Sequence, residues 1–419
     1  MDYYDFFEVN NLRYVIIGVG SAGTNAAETI RAHDKDGKVT VISDEGVPYY
    51  VREHLNRLIE GSESEQDLFE KGYDFFKTIG VNFIGDKVVR VDSSKKAVIM
   101  ENGVQLQYDK LLIASGGKPI PLNVKGRELD GITTLYSLKD AKYILEQLPN
   151  IKNIVFIGGG SIALKVSPIL KEMGKNITIV EKMPRILPKM LDRDASLLLE
   201  EKVENDGITV LTNEEVVEFS GMNNRIDHVI LKSGIKIPAD LAITIIGIRP
   251  SVDFLKTTDV KVDHGIIVDL FMKTSDNDIY AAGDVARVPD PIESFKALPH
   301  PGWGESRDEG KNAGLNMAGK PTKYPGEIRL NRMKFKKYAF ISGGYLEKQD
   351  GNEIIVESGE EFYKKFIFDR ERLVGGIILM KNFDSKKWKK WLKKQLFDEN
   401  PSLEKKDAIV RTNFHESIS

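Results

Sequence analysis

A glycine-rich turn joins a strand to a helix twice in this chain of 419 residues, and a second strand and an acidic residue follow each time. In the first copy the β-branched run 14–17 leads into the turn GVGSAG, and the run 38–42 ends before Asp44 and Glu45. Such glycines allow a tight turn, bring backbone N–H groups close to a pyrophosphate and let the helix pack on the strand. A carboxylate after the second strand can bind a ribose hydroxyl, and the sequence leaves open which acid does so. We expect dinucleotide contacts from Gly18, Gly20, Ser21, Ala22 and Gly23.

In the second copy the run 153–157 leads into the turn GGGSIA, and the run 176–180 ends at Glu181. A glutamate here favours a ribose with a free 2′-hydroxyl, and so predicts NAD(H) rather than NADP(H). Lys182 and Arg185 keep NADP(H) open as the alternative, although solvated surface charge is the simpler interpretation of these two cations. We expect contacts from Gly158, Gly160, Ser161, Ile162, Ala163 and Glu181.

Two dinucleotide sites in one chain suggest a flavin in the first and a nicotinamide in the second, with hydride passing between them. A dehydrogenase with a single cofactor would need only one such unit. The predicted fold class is therefore α/β, with two Rossmann-like domains.

Three further segments, 108–117, 246–250 and 278–286, read YDKLLIASGG, IGIRP and DIYAAGDVA. Together with the glycine turns they resemble the FAD-dependent pyridine nucleotide-disulfide oxidoreductase superfamily, over roughly residues 12–320. The resemblance implies that the aspartate of the third segment binds the ribityl chain of FAD. The FAD contacts that it implies are Ala114, Ser115, Gly116, Gly247, Gly283 and Asp284.

The same resemblance implies a domain order. An FAD-binding domain formed by 1–120 and 240–325 is interrupted by an NAD(P)-binding domain at 121–239. A C-terminal α+β domain at 326–419 follows, and in the superfamily this domain commonly forms the dimer interface.

Within the superfamily the chain looks most similar to the ferredoxin and rubredoxin reductases and to the flavin domain of nitrite reductases. By this resemblance Arg52 faces the FAD diphosphate, and Arg57 falls where the family has a lysine close to flavin N5. A plain surface arginine is the alternative for Arg57. Trp303 would cover the flavin or meet the nicotinamide, with a core aromatic as its alternative. Lys165 replaces a family glutamate near both rings, and would change the electric field there.

The chain has no cysteine, which excludes a disulfide relay, a Cys nucleophile and thiolate metal ligands. The six histidines show no metal-ligand spacing, so we expect no metal. A reduced flavin would therefore pass its electrons directly to an external acceptor, first of all ferredoxin or rubredoxin. The alternatives are an NADH oxidase, a type II-like NADH:quinone reductase, and a non-enzymatic FAD/NAD-binding redox sensor.

The stretch 385–397 predicts an amphipathic helix, with lysines on one face and two tryptophans and two leucines on the other. A packed helix with solvated lysines is the first interpretation; docking of an acidic carrier and membrane-surface binding are the others. The formal charge of −3 predicts no nucleic-acid partner. The N-terminal segment lacks a secretory signal, so we expect a cytoplasmic protein with membrane association not favoured. The resemblance to the superfamily implies a homodimer.

Overall fold

A computed structural model of the chain describes residues 11–290, 302–398 and 400–412. The strands and helices up to residue 119 are β1 Arg13–Ile17, α1 Ser21–His33, β2 Lys38–Ser43, α2 Leu55–Glu60, α3 Phe75–Thr78, β3 Asn82–Gly85, β4 Val88–Asp92, β5 Ala97–Met100, β6 Gln105–Gln107, β7 Lys110–Ile113 and β8 Gly117–Pro119. The next are β9 Ile132–Thr133, α4 Leu138–Gln147, β10 Asn153–Ile157, α5 Ser161–Glu172, β11 Asn176–Val180, α6 Arg193–Asn205, β12 Thr209–Leu211, β13 Val216–Met222, β14 Arg225–Leu231, β15 Lys236–Pro238 and β16 Leu241–Thr244. Then follow β17 Ile248–Pro250, β18 Ile266–Ile267, β19 Ile279–Ala281, β20 Ala286–Arg287 and α7 Trp303–Met317. The last are β21 Leu330–Phe335, β22 Tyr338–Gly344, β23 Glu353–Gly359, β24 Phe362–Asp369, β25 Arg372–Lys381, α8 Ser385–Leu396 and α9 Leu403–Val410.

Two parallel sheets each carry one glycine turn at the carboxyl end of a central strand. The first has the order β19-β7-β1-β2-β3, and the second the order β12-β11-β10-β16-β9. Four of the five residues of β1 and of β10 are buried, as expected for parallel strands covered on both faces. The chain passes from the first sheet to the second and back through β8 and β17, which pair antiparallel to each other. This arrangement confirms the predicted fold class.

Helix α7 packs unusually close to α1, because glycines on α7 face the α1 backbone. A Cβ on Gly310 would lie 2.1 Å from the carbonyl oxygen of Ala22, and one on Gly314 would lie 2.8 Å from that of Ala26. Only glycine permits this approach, so a larger residue at either position must push the helices apart. The start of α7 is thereby held beside the first glycine turn.

The C-terminal sheet is antiparallel, in the order β21-β22-β25-β24-β23, and is covered on both faces. On one face Met333, Phe340 and Leu379 share a core with the second parallel sheet. On the other face α8 buries its apolar side chains, Trp388 and Leu392 among them. A membrane-surface helix would need that apolar face exposed, so the structure favours the packed-helix interpretation. Within the described residues, no helix is both long enough and apolar enough to cross a bilayer.

Two details of the C-terminal region do not follow from the sequence pattern. The first strand of the C-terminal sheet begins at Leu330, because the preceding segment bonds to loops of the first domain: Tyr324 N–H to Leu270 and Glu327 N–H to Pro289. Helix α9 has no periodic apolar pattern in the sequence, and in the structure Ile409 is its only buried residue. Its start is fixed by Ser402, whose hydroxyl accepts from the backbone of Lys405.

Candidate active site

One continuous cavity of about 1070 Å³ is lined by both glycine-rich turns. Its walls come from the segments that follow β1, β7 and β10, and from the start of α7. In open α/β sheets ligands bind outside the carboxyl ends of the strands, where helix N-termini and loops converge. The cavity therefore joins the two predicted dinucleotide sites.

The first turn is closely packed on one side and open on the other. Gly18 has a φ of +104°, and a Cβ there would lie 2.2 Å from the carbonyl oxygen of Ala114. A Cβ on Gly23 would lie 2.0 Å from the carbonyl oxygen of Gly18. At Gly20, which lines the cavity, no atom of the described residues lies within 4 Å of an added Cβ. The open side leaves room for a pyrophosphate at the N-terminus of α1.

The second turn repeats this geometry. Gly158 has a φ of +108°, and its added Cβ would lie 2.6 Å from the carbonyl oxygen of Ile245. Gly160 lines the cavity, and nothing in the described part of the chain approaches its added Cβ within 4 Å. Helix α5 begins at the next residue, Ser161. The residues of both turns thus fit a dinucleotide phosphate, one per turn.

Glu181 is held at the end of β11 by two backbone donors. Its carboxylate accepts from the N–H of Gly159 at 2.7 Å and from the N–H of Met183 at 2.8 Å. Its side chain is buried but lines the cavity, as the acid that binds an adenosine ribose must.

The two cations that follow Glu181 are paired with other carboxylates. Lys182 Nζ lies 2.5 Å from Glu215, and both residues line the cavity. Arg185 lies 3.3 Å from Glu347 of the C-terminal domain. Each cation is therefore already paired with a carboxylate, which would compete with the 2′-phosphate of NADPH. The site thus favours NADH over NADPH.

Arg52 and the acids after β2 form the opposite end of the cavity. The Arg52 guanidinium donates to Glu45 at 2.7 Å and to the carbonyl oxygen of Tyr136 at 2.5 Å, and lies 4.0 Å above the Tyr136 ring. Tyr50 also donates its hydroxyl to Glu45, at 2.7 Å. Asp44 lines the cavity beside them and is exposed. Both acids are exposed, but Glu45 is held by two donors, whereas Asp44 makes no hydrogen bond or ion pair with the described residues.

Asp284 faces the cavity at the N-terminal side of α7. It follows Gly283, whose φ is +80°, and accepts from the Ser306 hydroxyl at 3.3 Å. Burial raises the pKa of Asp284, although the Ser306 hydroxyl, the charge of Arg52 and the backbone of Gly302 lower it. A carboxyl group here can bind hydroxyl groups of a ligand, as the ribityl chain requires.

Trp303 begins α7 and forms part of the cavity wall. Its indole N–H donates to the Tyr49 hydroxyl at 2.5 Å, and its carbonyl oxygen accepts from the Ser21 hydroxyl at 3.0 Å. The Arg307 guanidinium lies 5.5 Å from its ring. Trp303 is half-buried and lines the cavity.

The two cations that the resemblance placed near the flavin lie in different surroundings. Lys165, on α5, is half-buried, lines the cavity and makes no hydrogen bond or ion pair with any residue that the structure describes. Arg57, on α2, pairs with Glu63 and lies outside the cavity walls that the described residues form.

Most of the predicted contact residues line this one cavity. Gly23 and Ala163 instead shape the turns from behind, and Ala163 is fully buried. The predicted residues that line the cavity are Gly18, Gly20, Ser21, Ala22, Asp44, Glu45, Arg52, Ala114, Ser115, Gly116, Gly158, Gly160, Ser161, Ile162, Lys165, Glu181, Gly247, Gly283, Asp284 and Trp303.

Several lining residues were not predicted. They include Tyr49, Tyr50, Glu53, Tyr136, Glu214, Glu215 and Arg329. No motif spacing marks them, because they lie on loops and on the C-terminal segment that only the folded chain brings to the cavity. Arg329 is the cation of this group; its side chain is buried, and burial lowers its pKa. Across the described residues, no three His, Asp or Glu side chains are grouped so as to hold a metal ion.

Two glycine-rich turns that can each bind a phosphate, and that line one cavity, are typical of an oxidoreductase with two nucleotide cofactors. Comparison with known proteins agrees, since residues 12–298 match the pyridine nucleotide-disulphide oxidoreductase family, and the chain belongs to that family. It is therefore an oxidoreductase that uses FAD and NADH, which confirms the predicted superfamily and cofactors.

The relatives include reductases of small redox proteins. The rubredoxin-NAD(+) reductase of Pseudomonas putida is 32% identical over 274 residues, which cover 65% of this chain and 71% of that protein. The NADH-rubredoxin oxidoreductase of Clostridium acetobutylicum is 29% identical over 389 residues, which cover 90% of this chain and 96% of that one. Among solved structures, the water-forming NADH oxidase of Lactobacillus brevis bound to NADH superposes with a TM-score of 0.86 at 25% identity, over 93% of this chain and 92% of that one.

Proposed function

We propose that this protein is an NADH-dependent flavoprotein reductase that delivers electrons to a small redox protein of the rubredoxin or ferredoxin kind. The observation that carries the proposal is that both nucleotide cradles open into one cavity in a chain without cysteine. FAD held in the first site would supply hydride acceptance from NADH and electron transfer one at a time. Because the chain has no thiol to take these electrons, they would leave for an external acceptor. The relatives from P. putida and C. acetobutylicum, named for rubredoxin, support this class of acceptor.

We assign roles to the lining residues on their contacts. Asp44 binds the FAD ribose, because Glu45 is already held by Arg52 and Tyr50. Arg52 faces the FAD diphosphate. The ribityl hydroxyls bind Asp284, and Trp303 borders the ring system.

The first test is spectroscopic. Under anaerobic conditions NADH should bleach the flavin absorbance of the purified protein, and rubredoxin or ferredoxin should restore it. A panel of rubredoxin, ferredoxin, a quinone, oxygen and an artificial dye separates the candidates. Fastest turnover with oxygen or quinone would replace the carrier proposal. Negligible turnover with every acceptor would favour a redox sensor.

Removing the charge of Lys165 should make the flavin harder to reduce. A cation beside the ring stabilises the anionic reduced form, and Lys165 is better placed than Arg57, which lies outside the cavity. In Lys165→Gln we expect a more negative flavin midpoint potential and slower bleaching by NADH. Lys171→Gln, on the same helix but away from the cavity, is the matched control. An unchanged potential in Lys165→Gln would remove this residue from the site.

The choice of nicotinamide should respond to Glu215 as well as to Glu181. Glu215 holds Lys182, so Glu215→Gln frees a cation that can pair with a 2′-phosphate. We expect the ratio of kcat/KM for NADPH to that for NADH to rise about tenfold, and further with Glu181→Ser added. Glu218→Gln, on the adjacent strand β13, loses its ion pair with Lys125 and should leave the ratio unchanged. A ratio that does not move in Glu215→Gln would contradict the assignment.

We further propose a cytoplasmic homodimer with the domain bounds given above. The C-terminal sheet supports the dimer, because its edge strand β23 is largely exposed and includes the apolar Val356. Light scattering on the purified protein measures the oligomeric state.

A further inference from the structure

Two buried carboxyl groups, Glu309 and Glu327, lie side by side beneath the turn that carries Asp284. Glu309 lies on α7 and is 3% exposed, and Glu327 lies before β21 and is 6% exposed. The two carboxyl groups are close enough for each to shift the pKa of the other. An ionised carboxylate can only accept, so a hydrogen bond between them requires a proton on one of the two groups.

The pair is linked directly to the first nucleotide site. Glu309 Oε2 accepts from the backbone N–H of Gly283 at 2.6 Å, and Asp284 is the next residue. Glu327 Oε2 accepts from the Tyr324 hydroxyl at 2.9 Å. The pair therefore connects the segment before the C-terminal sheet to the turn at Gly283.

The surroundings make a second negative charge in this place costly. Burial raises the pKa of Glu309, and the charge of Glu327 raises it further. Burial also raises the pKa of Glu327, helped by the charge of Glu305. The charged and titratable groups that face the pair are Asp284 and Glu305 on the acidic side, the Tyr324 hydroxyl, and Lys393 on α8, with Lys389 paired to Glu305.

We propose that Glu309 and Glu327 form a proton-sharing clamp that positions the Gly283–Asp284 turn and makes the retention of FAD depend on pH. The clamp rests on the proposed function, since it assumes FAD in the first site. With the proton in place, Glu309 donates to Glu327 while its other oxygen accepts from Gly283. When the proton leaves, Glu309 and Glu327 are both negatively charged in a site with little water. Their mutual repulsion then moves Glu309 away from Gly283.

The sign of the pH dependence follows from the raised pKa of both groups. The folded, FAD-bound state holds more protons than the open state in which the turn has moved, so the stabilisation is complete at acidic pH. It is lost as the pH rises through the raised pKa values of the pair. FAD retention should therefore weaken towards alkaline pH.

The test measures FAD release from the flavin-loaded protein between about pH 6 and about pH 9, by the fluorescence of the freed flavin. In the wild type we expect the apparent Kd to rise at least about tenfold over this range. In Glu309→Gln it should stay flat, because the amide N–H donates to Glu327 and the amide oxygen accepts from Gly283 at every pH. Asp308→Asn, a neighbour on α7 that faces solvent, should follow the wild type.

A second variant and a fold measurement keep the outcomes distinct. Glu327→Gln should also flatten the profile, with circular dichroism showing the fold unchanged. Equal pH dependence in the wild type and Glu309→Gln, or a folded Glu309→Gln that releases FAD at every pH, would overturn the clamp. A flat wild-type profile would overturn the clamp alone, whereas a wild type that binds no FAD at any pH would overturn the proposed function with it.

Discussion

Gly20→Val should abolish FAD binding while the protein still folds. The added side chain enters space in which no atom of the described residues lies within 4 Å of the Cβ, and that space is the cavity. Gly20 has φ −68° and ψ −169°, a conformation that valine adopts readily, so the backbone is not strained. Valine is a poorer N-cap than glycine, which costs about 1 kcal/mol. The pyrophosphate, however, loses its place, and we expect the affinity for FAD to fall at least about a hundredfold, or about 3 kcal/mol.

Gly160→Val is the matched variant in the second turn and should separate the two cofactors. Gly160 has φ −84° and ψ −176° and the same open side, so this protein should keep its yellow flavin. NADH should no longer bleach that flavin, whereas dithionite still should. Gly304→Ala, whose added Cβ also meets nothing within 4 Å of it among the described residues but lies outside the cavity, is the control for both. Retained FAD in Gly20→Val, or normal bleaching by NADH in Gly160→Val, would contradict the assignment of the two turns.

Lys365→Met should destabilise the protein more than any surface substitution in the C-terminal domain. Lys365 Nζ lies 2.8 Å from Asp192 and 2.9 Å from the carbonyl oxygen of Leu346, and both side chains of the ion pair are more than nine-tenths buried. The Tyr363 hydroxyl donates to the same Asp192 oxygen at 2.6 Å. Removal of the lysine leaves a buried carboxylate with one donor fewer, which typically costs about 3–5 kcal/mol. The free energy of unfolding from urea titration measures the loss.

The partner substitution tests whether the cost comes from the stranded charge. Asp192→Asn added to Lys365→Met removes that charge and can keep the cap on α6, where Asp192 accepts from Ala195 N–H at 3.1 Å. We expect the double variant to recover much of the lost stability. Lys381→Met, which breaks an exposed pair with Glu361, should cost about 1 kcal/mol or less. Equal losses in Lys365→Met and Lys381→Met would show that the buried pair contributes little.

The residues that act through their backbone were predictable from sequence. Gly18 and Gly158 have a positive φ and lie against neighbouring backbone, where only glycine fits without strain. At Gly20 and Gly160 a side chain would fill the space that a phosphate requires. These requirements restrict each position to glycine, so the residue type is predictable. The strands around them follow from β-branched runs, because a parallel sheet covered on both faces requires continuous apolar residues.

The side-chain partners could not be predicted in the same way. Arg52 bonds to Tyr136 across 84 residues of chain, and Glu309 reaches Gly283 across 26. No spacing rule links such pairs, since the packing of α7 on α1 and of the C-terminal segment on the first domain brings them together. The amphipathic pattern of 385–397 predicted the helix, but only the folded chain shows that the C-terminal sheet covers its apolar face.

The order of strands in the first sheet has a consequence for how the protein is made. Strand β7 pairs with β19, and the ion pair of Lys110 and Asp278 at this junction joins residues 168 positions apart. At 5–20 residues per second a ribosome needs about ten to thirty seconds to deliver the second strand after the first. During that time β7 is an unpaired edge, open to association with other nascent chains. The nicotinamide-binding sheet, encoded in between, can be complete before the flavin-binding sheet closes, so we expect FAD to be captured late in synthesis.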